Sequence, residues 1–88
     1  MLGVGGVNKG APNNPDTAIQ TGVFYLITQG NDYGYPCRWG MLEVSKSHPY
    51  IFQRVIDSDV TKIWIRFGNI GPDNNITWSA TWKSVSLT

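Results

Sequence analysis

The chain has 88 residues, enough for one small domain with a modest core, so partners or copies of itself are an expected source of stability. Seven Lys and Arg stand against six Asp and Glu, a formal charge of +1 without the basic stripe of a nucleic-acid binder. No run approaches the roughly 20 apolar residues of a membrane-spanning helix, the first residues lack a signal peptide's charged end and apolar block, and the lone Cys37 excludes an intrachain disulfide.

Residues 1–21 read as an irregular N-terminal arm, rich in Gly, Asn and Pro. Gly3-Val4-Gly5-Gly6 has no strand before it, no helix pattern after it and no Gly-Lys-Ser/Thr, so a phosphate loop is not supported. Pro12, Asn13, Asn14 and Pro15 resist both helix and central strand, and the segment is expected to lie along a surface or to join a preceding module. Asp16 is placed to cap a single helical turn over 16–20.

Residues 22–88 read as a small antiparallel β domain. The run 22–28 is the first strand, almost continuously apolar, which fits burial on both faces or an interface on one. The turn-rich loop 29–36 displays Tyr33 and Tyr35, either for recognition or packed over an open sheet end. A second strand over 38–45 puts Trp39, Met41 and Glu43 on one face and Gly40, Leu42 and Val44 on the other. After a turn at 45–49, the third strand, 50–57, carries Gln53 on an otherwise aliphatic face. A buried amide needs partners, so Gln53 either fastens the sheet to the arm or presents its amide at an interface, with fastening preferred.

The strongest strand is 61–67, Thr-Lys-Ile-Trp-Ile-Arg-Phe, with Ile63, Ile65 and Phe67 on one face and Lys62, Trp64 and Arg66 on the other. It is expected to pair with 50–57 across a Ser58-Asp59 turn and with 76–83 across a polar loop, 68–75, that contains Asp73 and Asn74. The last strand carries Trp78 and Trp82 on one side, as a core lid or a stacking platform.

Catalytic chemistry has little to stand on. Cys37 and His48 lie eleven residues apart without a patterned acid, and one Cys with one His is short of a zinc set. Asp57 and Asp59 flank a turn, where Asp is common for backbone reasons, and so small a chain has no room for the cleft of a glycosidase. Trp64, Trp78, Trp82 and the loop tyrosines, with Arg, Asn and Asp nearby, suit a sugar ring held by stacking and hydrogen bonds; the same rings also suit a core.

Five stretches occur in a familiar order: Leu2-Gly3-Val4-Gly5-Gly6 leading into Thr21-Gly22-Val23-Phe24-Tyr25, then Trp39-Gly40-Met41-Leu42-Glu43-Val44, then Gln53, then Ile63-Trp64-Ile65-Arg66, then Thr77-Trp78-Ser79 with Trp82-Lys83. Over nearly the whole chain this resembles the knob-type domain of bacteriophage tail fibres and R-type pyocin fibres. The closing Trp78-Ser79-Ala80-Thr81-Trp82 is one residue longer than the usual form, which requires a bulge or moves the second Trp to the face of the first.

The resemblance implies an all-β antiparallel meander of four to five strands behind the irregular arm, in a homo-trimeric fibre of a virion or prophage that attaches to a bacterial surface polysaccharide or other receptor. It implies no enzymatic activity, no cofactor, no nucleic acid and no membrane insertion. Gly22, Gly40, Gln53 and Arg66 are expected as structural positions, and Tyr33, Tyr35, Trp64, Asp73, Asn74, Trp78 and Trp82 as receptor contacts. A stand-alone carbohydrate-binding module, which works as a monomer, and a purely structural spacer of a fibre are the alternatives.

Overall fold

The structure is a computed structural model and describes residues 9–27, 34–79 and 81–87. The chain is all-β: a short 3-10 turn, Pro15–Thr17, precedes β1 (Gly22–Leu26), β2 (Gly40–Ser47), β3 (Tyr50–Asp57), β4 (Lys62–Ile70), β5 (Ile76–Trp78) and β6 (Lys83–Ser86). All pairings between strands are antiparallel, in the order β1-β2-β3-β4-β5, with β6 also on β4. Among the described residues six strands replace the four or five expected, because the last one is broken. β5 pairs with Gly68–Ile70 and β6 with Lys62–Ile65, and the register slips by two residues between them.

The slip is even, so side-chain parity survives it. Trp78, opposite Gly68, therefore stays on the face of Trp64 and Arg66.

That face is the inner one. Leu26, Leu42, Val44, Ile51, Val55 and Ile70 are buried there beneath Ala11 and Ala18 of the arm and Tyr35, with Gln53 among them fully out of solvent. Among the described residues none forms a layer over the opposite, outer face: Val23, Met41, Tyr50, Phe67 and Val85 stand exposed on it. β1 accordingly alternates, Phe24 and Leu26 inward and Val23 and Tyr25 outward, rather than being buried on both faces.

Glycine is required where strands crowd. A Cβ on Gly40 would lie 2.1 Å from the Ile56 carbonyl oxygen, and one on Gly68 would meet Trp78, Ile51 and Ile76 at 2.9 to 3.0 Å. Gly68 thus lets β4 run on beneath Trp78 to Ile70, and the expected eight-residue loop shortens to 71–75.

The arm begins as a supplement to the sheet. The Tyr25 amide donates to the Lys9 carbonyl and the Ala11 amide to the Tyr25 carbonyl, both over 2.9 Å, in a parallel bridge along the edge of β1. The 3-10 turn is capped by Asn14, whose side chain accepts from the Asp16 amide over 2.9 Å; Asp16 is not the cap expected from sequence. Pro at the first turn position needs no donor there, which leaves the preceding Asn as the capping oxygen.

Candidate functional site

Across β3 and β4, Gln53 and Arg66 are direct partners in the ladder. The Gln53 Nε2 donates to the carbonyls of Pro15 and Ala18, each at 2.8 Å, while its Oε1 accepts from Arg66 Nε at 2.7 Å. One amide thereby uses both its donors and its acceptor, and these bonds fix the arm to the sheet. The Arg66 Nη2 lies 2.9 Å from Asp16 Oδ1, off the line of a good hydrogen bond, so that contact is mainly ionic. Burial works against the Arg66 charge, and the Asp16 carboxylate works for it.

Two indoles complete the centre. The Arg66 guanidinium carbon is 3.9 Å from the Trp78 ring centroid and 4.8 Å from that of Trp82, both within cation–π range. The Trp82 Nε1 donates to the Gly34 carbonyl over 3.0 Å, drawing in the segment that carries Tyr35.

The structure distributes the expected contact residues unevenly. Tyr35 is a correction: only 3 % exposed, it donates its hydroxyl to the Pro12 carbonyl over 2.6 Å, because the arm covers this part of the inner face and offers a free carbonyl. Burial pushes its phenol up to about 12 against the opposing pull of Arg66. Tyr33 lies outside the described residues. Trp64, Trp78 and Trp82 are half-buried against the core, with their remaining surface open.

Asp73 and Asn74 are exposed in the β4–β5 turn, Asn74 with a φ of 66° and Asp73 accepting from the amide and side chain of Asn75. The topology puts this turn at one end of the sheet and the β3–β4 turn at the other.

Near that second end lies an aromatic residue the sequence reading assigned only to a strand face. Trp39 is 51 % exposed and borders a depression of about 430 Å³ with Tyr25, Ile27, Met41, Ser58 and Val60. Its position just before β2, where the strand has not yet begun, is the signal for its exposure.

The remaining polar candidates have structural work. Asp57 accepts from Thr61 Oγ1, from the Thr61 amide and from the Lys62 amide, and the Thr61 hydroxyl above all holds its carboxyl below the usual 3.8. Cys37 is half-buried, its thiol pushed up to about 11 by burial first and then by the Asp57 charge. Such a thiol is a poor nucleophile at neutral pH. Among the described residues, no three His, Cys, Asp or Glu side chains gather as a metal-ligand group, and no helix is long and apolar enough to cross a membrane.

Comparison with family models, curated proteins and solved structures finds no match for the chain.

Proposed function

We propose that this domain belongs to a bacteriophage or phage-like tail fibre and acts in attachment to the bacterial surface, binding surface glycans without catalysis, as one of three identical chains. The observation that supports this reading is the convergence of the short motifs. Gln53, Arg66, Trp78 and Trp82, far apart in sequence, meet at one centre that ties arm, sheet and last strands together.

The contact surface in this reading consists of Asp73 and Asn74 at one end of the sheet and the open surface of Trp64, Trp78 and Trp82. An exposed indole offers a flat stacking surface, and the turn residues offer hydrogen bonds. Three copies of a weak site add through effective concentration.

A second reading, a structural spacer of the same fibre, is favoured by the burial of Tyr35 and the contact of both closing tryptophans with Arg66. Tryptophan emission during titration with purified lipopolysaccharide and teichoic-acid fractions separates the two. A saturable shift supports glycan binding, and the Asp73→Ala, Asn74→Ala pair then locates it. A folded chain that responds to no fraction contradicts glycan binding and leaves the spacer.

A further inference from the structure

We propose that the outer face of the sheet is the contact surface for a second copy of this chain, with Glu43 of one copy paired to Arg54 of the next. This names a contact surface between copies of the chain and draws nothing from the attachment reading, so the two fail separately.

The register lays the outer face out in rows. Tyr25, Met41, Ile56, Ile63 and Val85 form one apolar row across β1, β2, β3, β4 and β6. Beside it runs Val23, Glu43, Arg54, Ile65 and Lys83, the row that carries charge. Beyond these, Tyr50 and Phe67 bring their ring centroids to 5.3 Å, with Phe52 alongside. Val23 is 54 % exposed, Met41 49 % and Val85 56 %, and a depression of about 470 Å³ opens between Val23, Met41, Ile56 and Ile63.

With the partly covered isoleucines, these side chains leave on the order of 600 Å² of largely apolar surface, at the top of what a monomer carries and close to one partner's share of a standard interface.

Three features point to a copy of the chain as the occupant. The first is that neither edge offers a long strand for addition: Lys9 and Ala11 bond to β1 at Tyr25, and the other edge is divided into β5 and β6 of three and four residues. Association is left to the face.

The second is charge. Glu43 and Arg54 are cross-strand neighbours, ion-paired in one chain and both well exposed. An exposed pair contributes little by itself. A rotation axis parallel to the strands, passing between β2 and β3, brings each Glu43 onto the Arg54 of another copy. The same rotation sets Met41 against Ile56, so apolar meets apolar and acid meets base. A face with adjacent acid and base is complementary to itself.

The third is size. Of the buried apolar side chains among the described residues only Tyr35 is aromatic, and the tryptophans that pack against them stay half-open, modest support for 88 residues. Covering the outer face supplies the missing layer.

The test is the native mass in solution, by light scattering and native mass spectrometry without any glycan. The wild-type chain is expected at two or more times 9.8 kDa. Glu43→Arg and Arg54→Glu, alone, are expected to associate at least tenfold more weakly while keeping the wild-type circular dichroism. Mixing the two variants is expected to yield assemblies containing both chains. Mixing restores no pair within a chain, so recovery reports the contact between copies.

Met41→Glu, which puts a charge in the apolar row, is expected to weaken association by another route. A folded wild-type chain that stays monomeric, variants that assemble like wild type, or a mixture that does not associate would each overturn the proposal.

Discussion

Arg66 stands opposite Gln53 in the β3–β4 ladder and donates its Nε to the Gln53 oxygen over 2.7 Å, while the same amide donates to two arm carbonyls. Sheet, arm and closing tryptophans therefore depend on a single uncharged side chain, fully buried.

Replacing Gln53 with Leu removes three hydrogen bonds and takes the partner from the Ala18 carbonyl and from Arg66 Nε, while the Pro15 carbonyl keeps the Ala18 amide. The expected cost is about 3 kcal/mol, read from urea unfolding. Gln53→Glu keeps the acceptor for Arg66 but cannot donate to Pro15 and Ala18. Its signature is faster amide exchange over residues 16–20 with the β2–β4 amides still protected. Equal loss of protection in arm and sheet would mean that Gln53 does not fasten the arm specifically.

The Tyr35 hydroxyl gives a prediction at alkaline pH. Its folded value is raised from 10.0 to about 12, so its contribution to stability is complete below pH 10.0 and declines as pH rises toward about 12. Ultraviolet titration should show a late step from Tyr35. Tyr35→Phe should abolish that late step and lower stability by about 1 kcal/mol through loss of the bond to Pro12.

Asp57 acts in the opposite sense. Its folded carboxyl is held below the usual 3.8, so its share of stability is present above that pH and is lost as pH falls through the lowered folded value. In Asp57→Asn the acid-limb loss of stability should be shallower than in wild type. Chemical denaturation at a series of acid pH values checks this, and an unchanged limb would refute it.

Val60 holds a φ of 58° in the turn closed by its amide donating to the Asp57 carbonyl, a position that suits Gly or Asn and is strained for a β-branched residue. Its side chain is 58 % exposed, so little packing is lost on removing it. Val60→Gly is expected to stabilise by about 1 kcal/mol, a rise of roughly 4–8 °C in Tm for a domain of this size. A fall in Tm would show that Val60 contributes packing that outweighs the strain.

Much of the sheet was legible because alternation decides faces. The placement of Ile63, Ile65 and Phe67 opposite Trp64 and Arg66 follows directly from the two-residue period, and Gln53 stood out as an amide among aliphatic neighbours. Tyr35 was not legible in the same way. Its burial depends on a carbonyl 23 residues away in an arm without periodicity, and nothing local announces that contact.

The division of the last strand was half visible. The long Trp78 to Trp82 spacing demanded a distortion, but its form, a two-residue slip that keeps both rings against Arg66, depends on pairing with β4. The exposed row on the outer face was also hidden, since strand alternation cannot say which face the arm will cover.

The attachment reading is tested most directly by binding of the labelled chain to whole bacteria of several species, before and after removal of surface polysaccharide. The account predicts saturable binding to at least one species, lost with the polysaccharide. Absence of binding to every species by a folded, assembled chain, or binding indifferent to polysaccharide removal, would contradict it.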